Sequence, residues 1–360
     1  MRIALLSYST KPRGGVVHTL ALAEALAELG QDVTVWTLGR GGDTAFYRPV
    51  DPAVRVRVVP FPDRPGESVG ERVLRSIAVL REAFDATPYD IVHAQDCISA
   101  NAVGPCVRTV HHIDHFTTPE LAACHERAIV TPYAHVCVSA AVAEELAAGW
   151  GIKATVIPNG VAYRRFAETD PAARARWRDR LGRYVLTVGG IEPRKGSLDL
   201  LEAYALLRAR HPGLRLVIAG GETLFDYRDY RARWEARAEE LALDPVVLGP
   251  VPDDDLPPLV AAASAFAFPS VKEGFGLAAM EALAAGVPVV VRDLPVLREV
   301  FTPAARFAAT VDDLARELDA ALTDADPVRL RAGRAIAARH TWRAAAERHL
   351  ALYRSLGAPD

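Results

Sequence analysis

Cysteine is scarce in this chain. Its four residues, Cys97, Cys106, Cys124 and Cys137, all fall in the first half and none stands in a CxxC spacing, which argues for a reduced, cytoplasmic protein without a zinc site. A charge excess is also missing: 42 Lys and Arg stand against 45 Asp and Glu, a net charge of −3. That balance argues against nucleic-acid binding and against general attraction to anionic membranes. Long apolar runs are absent too. The stretch Ala278–Val291 is broken by Glu281 and Pro288, too short for a spanning segment, so no integral membrane contact is expected. The opening MRIALLSYST passes from one Arg straight into a short apolar strand and a polar loop, so no signal peptide is expected.

What is present is length and apolar content. At 360 residues, half of them hydrophobic, the chain suits two compact domains. Arg2–Ser7 reads as a strand, Gly14 and Gly15 as a loop, His18–Leu29 as a helix ended by Gly30, and Asp32–Leu38 as a second strand. Strands are expected again at Val54–Val59, Ile91–His93, Val107–His111, Val136–Ser139 and Ala154–Pro158, with helices at Val69–Phe84 and Ala140–Trp150. The second half restarts with a strand at Tyr184–Gly189 and a helix at Ser197–Arg210. Strands at Leu214–Ala219, Val246–Leu248, Ala265–Pro269 and Val287–Val291 follow, with helices at Tyr230–Leu241, Leu256–Ala263 and Leu277–Ala285. Such alternation predicts an α/β protein of two doubly wound parallel-sheet domains, with the junction between Pro158 and Tyr184. Ligands of such sheets bind beyond the carboxyl ends of the strands, so a shared substrate is expected in a cleft between the domains.

A dinucleotide-dependent dehydrogenase fails on the residues. The loop Ser7–Gly15 lacks GxGxxG, and the second strand ends in Trp36-Thr37-Leu38-Gly39 without the acid that holds an adenosine ribose. The paired glycines serve either a tight turn or the approach of backbone to a phosphate or sugar. More informative is VKEGFGLAAMEALAAGVPVVV, residues 271–291. Glu273 falls in the loop after a strand, and the amides of Gly274 to Leu277 open a helix whose N-terminus favours an anion. A carboxylate beside that anion suits sugar hydroxyls better than phosphate, and Glu281, further along the helix, can accept from a ribose. Singly, Glu273 reads as a capping acid and Glu281 as a solvated helix residue. The ensemble EGFGLxxxEALAxGxPVV favours the site.

These residues closely resemble the signature of retaining glycosyltransferases of the GT-B fold, of the glycosyltransferase family 4 type with a C-terminal "glycosyl transferases group 1" domain. The resemblance covers nearly the whole chain: YSTKPRGGVVHTLALAEAL, YDIVHAQD, RTVHH, VIPNGV, VGGIEPRKG, LGPVPDDDLPPLVAAASAFAFPS and HTWRAAAERHLALYRSL each match a segment of it. It implies two Rossmann-like domains facing across a cleft: residues 1–162 on the acceptor side, residues 163–342 for the donor, and residues 343–360 as a helix crossing back to the first.

The resemblance further implies roles. Glu273 contacts donor-sugar hydroxyls, Glu281 the nucleotide ribose, and the amides around Gly274, Phe275, Gly276 and Leu277 the sugar or diphosphate. Lys195 pairs with the diphosphate, Gly14 and Gly15 close on it, and His111 stabilises an oxocarbenium-like transition state. The donor is a UDP-, GDP- or other nucleotide-diphosphate sugar acting as co-substrate, with no cofactor and no metal. The anomeric configuration is kept, the departing phosphate taking the acceptor's proton, so no opposite carboxylate is needed as it is in hydrolases. One departure matters: where G-R-x-x-P-x-K is frequent, this chain has Gly190 in place of the Arg, and Arg194 is a candidate to supply that charge. Ala162 stands where an acid is usual.

Lys11, His93, Asp96 and His112 are acceptor-side candidates, although His93, Gln95 and Asp96 equally suit the satisfaction of backbone groups at a strand's end. His18 carries the same ambiguity. His111, His112, Asp114 and His115 also read as a metal cluster, weakened by the absence of a second carboxylate group nearby. Val69–Phe84 carries an apolar face of Val73, Leu74, Ile77, Leu80 and Phe84, but Glu71, Glu82 and Asp85 offset Arg72, Arg75 and Arg81. Packing on its own domain is therefore expected rather than membrane binding, and with it a small-molecule acceptor rather than a lipid. A nucleotide-sugar epimerase of the same architecture and a non-catalytic nucleotide-sugar-binding protein are the competing functions. Gly220–Tyr230, longer than the usual turn, has no assigned role.

Overall fold

The structure is a computed structural model that describes residues 1–114, 116, 118–221, 227–324 and 326–358. It divides into two compact units, one of Met1–Gly160 with Trp342–Asp360 and one of Val161–Thr341.

The first unit holds β1 (Arg2–Leu6), β2 (Asp32–Arg40), β3 (Arg55–Phe61), β4 (Ile91–Ala94), β5 (Val107–Val110), β6 (Ala134–Cys137) and β7 (Thr155–Val156) in the order β3-β2-β1-β4-β5-β6-β7. Every pairing between them is parallel. Ile3, Ala4, Leu5 and Leu6 are all fully buried, the unbroken apolar run of a strand covered on both faces. The helix Trp342–Ser355 belongs to this unit and places Ala345, Ala346, Leu350 and Tyr353 in one core with Val16, Leu20, Val33 and Val35.

The second unit holds β8 (Tyr184–Val188), β9 (Arg215–Ala219), β10 (Val246–Gly249), β11 (Ala265–Phe268), β12 (Val289–Arg292) and β13 (Arg306–Ala308) in the order β10-β9-β8-β11-β12-β13, again all parallel. Two parallel-sheet α/β units are what the alternating pattern predicts.

Several elements lie outside the expected pattern. The Arg-rich stretch 163–183 carries the helices Tyr163–Ala167 and Pro171–Leu181. The second starts on Asp170, whose carboxylate accepts from the amides of Ala172 and Ala173, and buries only Leu181, so it has no apolar stripe to read. The helix Cys97–Val103 is equally cryptic, being seven residues held by a reciprocal cap between Asp96 and Ser99. The helix at Val69–Ala83 buries Val73, Ser76, Ile77 and Leu80, while Leu74 stays exposed. Among the described residues no helix is long and apolar enough to cross a membrane.

Candidate functional site

In each sheet the strand order reverses direction at one place, between β1 and β4 and between β8 and β11. Ligands of doubly wound sheets sit at the carboxyl side of this switch point. In the second unit the chain leaves β8 through Gly189, Gly190, Ile191 and Glu192 into the short turn Pro193–Lys195, and leaves β11 through residues 269–276. The two loops are tied by the Val271 amide donating to the Arg194 carbonyl at 2.8 Å. Gly196 makes this approach possible. Its φ is +63°, and a Cβ there would lie 2.3 Å from the carbonyl oxygen of Pro269. Arg292 holds that same carbonyl through Nε at 3.1 Å and pairs with Asp199.

The two loops bring Glu273, Lys195 and Arg194 together. One carboxylate oxygen, Glu273 Oε1, accepts from Lys195 Nζ at 2.6 Å and from Arg194 Nη1 at 3.0 Å. Arg194 also donates to the Lys272 carbonyl and, at 3.3 Å, to Glu192, a buried acid. Lys195 Nζ lies 5.1 Å from the centre of the Phe268 ring. Arg194 thus faces the partner of Lys195 rather than standing as an exposed turn residue. The helix Leu277–Ala284 begins on Gly276 at φ +94°, where a Cβ would press on the Phe301 ring at 3.0 Å. Gly274, Phe275 and Leu277 flank that helix start; the Phe275 side chain is buried with its ring 5.8 Å from His340, leaving its backbone as the part available to a ligand.

Glu281 sits in this helix, half-buried and without a hydrogen-bond partner among the described residues. Burial pushes its carboxyl up to about 8; Arg165 opposes the shift and Asp253 adds to it. Arg165 is itself engaged, donating to Asp253 Oδ2 at 2.6 Å. This pair was not read from the sequence. Its two members lie 88 positions apart, and no local signal marks either.

In the first unit Gly14 and Gly15 are the first two residues of the helix Gly14–Glu28, and a Cβ on Gly15 would lie 3.7 Å from the His111 ring. His18, one turn on, meets His111 edge-on at 4.8 Å and bonds Asn159 at 2.8 Å. His111 Nε2 is buried without a hydrogen-bond partner among the described residues, and burial drives that ring down to about 3, so it is neutral. Of the acceptor-side candidates, His93 is fully buried with both ring nitrogens taken, by Tyr353 and Thr109 hydroxyls at 2.7 Å each. Asp96 has both oxygens in use, one on the Ser99 amide and one on the Tyr8 amide. Lys11 is exposed and paired with Asp43, and His112 lies 3.2 Å from Asp114. Gln95 is buried with neither amide atom partnered among the described residues. His115 and most of the Gly220–Tyr230 segment, residues 222–226, lie outside the described residues.

The family description "Glycosyltransferase Family 4" matches residues 12–165, and "Glycosyl transferases group 1" matches residues 174–340. A phosphatidyl-myo-inositol mannosyltransferase of Mycolicibacterium smegmatis is 30% identical over 83% of this chain and 78% of its own. A D-inositol 3-phosphate glycosyltransferase of Saccharomonospora viridis is 32% identical over 98% of this chain and 94% of its own. In fold, the chain is similar to a sucrose-phosphate synthase from Thermosynechococcus elongatus, with a TM-score of 0.81 at 22% identity over 99% of each chain. It is similar too to Anabaena HepE in complex with UDP and glucose, with a TM-score of 0.78 at 22% identity over 99% of this chain and 100% of that one. The chain therefore belongs to the family 4 type of glycosyltransferases, with the GT-B fold.

Proposed function

We propose that this glycosyltransferase is a retaining, metal-independent enzyme that moves a sugar from a nucleotide-diphosphate sugar to a small-molecule acceptor. The observation that carries the reading is the convergence of Lys195 and Arg194 on Glu273 at the carboxyl side of the β8/β11 switch point. Two cations there suit the charge that develops on a departing diphosphate, and the carboxylate between them suits hydroxyls of the transferred sugar. Arg194 would thus fill the place of the Arg absent at Gly190. Glu281, with no hydrogen-bond partner among the described residues, suits the ribose hydroxyls.

The acceptor hydroxyl oxygen bonds to the anomeric carbon as the carbon–oxygen bond to the diphosphate breaks on the same face. The hydroxyl proton passes to the departing phosphate oxygen. His111 is neutral, so its ring or backbone carbonyl can face the developing positive charge without repelling it, and Gly14 and Gly15 admit the donor by their lack of side chains. Most of the acceleration is assigned to positioning and charge.

UDP stands in the complex of the fold relative HepE, which makes UDP-sugars the first donors to try. The relatives act on a phosphatidyl-myo-inositol and on D-inositol 3-phosphate by name, one acceptor lipid-borne and one soluble. The soluble alternative suits the stretch 69–85, where Glu71, Glu82 and Asp85 balance Arg72, Arg75 and Arg81, and sedimentation with anionic vesicles would overturn it.

The test is thermal stability against UDP-, GDP-, ADP- and TDP-sugars and their free nucleotides without added metal, then turnover with the winning donor. One donor should raise the melting temperature in proportion to its concentration over its dissociation constant. The product should keep the donor's anomeric configuration by NMR. Inversion, or a strict requirement for a divalent metal, would sink the corresponding part of the proposal.

A further inference from the structure

At the carboxyl ends of β1, β2 and β3 the first unit gathers cations that the roles above leave unused. Arg13 donates from Nη1 to the Tyr8 hydroxyl at 3.0 Å. Arg40, the last residue of β2, stacks 5.2 Å from the Tyr8 ring centre and 5.3 Å from that of Phe61, the last residue of β3, and donates to Ser76 at 2.8 Å. Several other arginines of this unit are matched to acids: Arg75 takes Glu67 with two bonds at 2.5 and 2.6 Å, and Arg48 takes Glu24 at 2.6 and 2.7 Å. Arg13 and Arg40 have no carboxylate partner among the described residues. The Nε donor of each is buried and makes no hydrogen bond among the described residues.

The neighbouring acids offer them little. Asp96 spends its oxygens on the amides of Ser99 and Tyr8, and Asp43 is held by Thr10 and Lys11. Burial, together with the Arg72 and Arg13 charges, lowers the Arg40 guanidinium to about 10, against the opposing pull of Tyr8 and Asp96. Two guanidinium groups flank one phenol ring, each with a buried donor left over among the described residues. A phosphoryl group has the number of oxygens and the charge that fit two guanidinium forks.

We propose that Tyr8, Arg13 and Arg40 form a phosphate-binding subsite, so that the acceptor of this enzyme carries a phosphoryl group. The inference rests on the transferase reading above and names the acceptor class for it. The subsite lies at the ligand-binding end of the first unit's sheet, where an acceptor belongs. A free phosphorylated metabolite and a phospholipid headgroup present the same chemistry here.

The test uses the full-length protein with inorganic phosphate, glucose 6-phosphate, fructose 6-phosphate and glycerol 3-phosphate as probes. Glucose, fructose and glycerol are the uncharged controls, and thermal stability is the readout. The phosphorylated probes should stabilise the wild type and the controls should not. Their dissociation constants should weaken about tenfold or more in Arg13→Gln and in Arg40→Lys, which keeps the charge but loses the fork. The response should survive in Lys195→Ala, which removes a cation of the other unit. No response in the wild type, an equal response in the arginine variants, or a response lost only in Lys195→Ala would overturn the subsite. Binding to phosphatidylglycerol but not phosphatidylcholine vesicles that requires Arg13 and Arg40, without any response to soluble probes, would assign the phosphoryl group to a lipid. If nucleotides stabilise the protein and phosphates do not act through these arginines, this inference alone fails. If no nucleotide acts either, the donor reading fails with it.

Discussion

Lys195 Nζ and Glu273 Oε1 lie 2.6 Å apart although 78 positions separate them in the chain. Their loops leave adjacent parallel strands at the point where the sheet reverses direction, so a cation from one βα loop and an acid from the other are forced into contact. Glu273→Gln keeps the shape and removes the charge. Donor turnover should fall about a hundredfold or more, a transition-state loss of roughly 3 kcal/mol. Nucleotide binding should survive, because Lys195 and Arg194 remain. Wild-type kcat/KM in this variant would reduce the pair to a structural ion pair.

Arg194 and Gly190 make a separable test of the proposed diphosphate role of the loop after β8. Arg194→Ala should weaken the nucleotide about tenfold, the scale of one charge-assisted hydrogen bond, and Arg194→Lys should recover only part of that. Adding Gly190→Arg to Arg194→Ala should restore affinity. Titration calorimetry with the preferred nucleotide reads all three, and unaltered affinity in Arg194→Ala would remove it from the site.

Glu281 gives a pH signature. Its free carboxyl titrates near 8 because burial disfavours the charged form. Ribose hydroxyls that donate to it favour the ionised form and lower that value in the complex. Nucleotide affinity should therefore rise as the pH climbs from about 6 and level off above about 8, with proton release on binding near pH 7. Calorimetry in buffers of different ionisation enthalpy detects the release. Glu281→Gln should abolish it, and a release that persists in Glu281→Gln would place the titrating group elsewhere.

Gly196 predicts a backbone-limited stability. Alanine there meets both a left-handed φ of +63° and the Pro269 oxygen at 2.3 Å, a backbone atom with no side-chain freedom to yield. Gly196→Ala should cost about 2–4 kcal/mol, read as a lower denaturant midpoint, and should weaken nucleotide binding by moving the Pro193–Lys195 turn. Gly14→Ala is the control, since a Cβ at Gly14 meets nothing within 4 Å; an equal stability loss in both would refute the contact argument.

Much of this was legible before the fold. Parallel strands announced themselves because both faces are covered, leaving runs such as Ile3–Leu6 and Phe266–Phe268 without polar interruption. The acids Glu273 and Glu281 were legible because glycines and a helix start frame them. Hidden were contacts whose two ends share no local pattern, such as Arg165 with Asp253 and Arg194 with Glu273. Hidden too were helices built on caps and charge, such as Pro171–Leu181. His93 shows the limit in reverse. A histidine at a strand's end reads as ligand-facing, yet the returning helix Trp342–Ser355 brings Tyr353 onto it, a partner 260 positions away.

That same helix makes the first unit sensitive to acid. His18, His93, His111 and His349 are gathered there: His18 lies 4.8 Å from His111 and 6.2 Å from His349, which lies 5.6 Å from His93. Burial lowers all four, His349 to about 4 and His111 to about 3. The unfolded chain takes up these protons near pH 6.5 and the folded chain does not. Stability is therefore full above about pH 7 and falls as the pH drops below 6.5, by about 2 kcal/mol between pH 7 and 5 for each of His111 and His349. His349→Phe removes one titrating ring and, among the described residues, forfeits only its bond to the Ala345 carbonyl, since Nε2 has no partner there. Denaturant midpoints measured from pH 7.5 to 5 should decline less steeply in the variant than in the wild type. Parallel declines would show that acid sensitivity arises outside the histidine cluster.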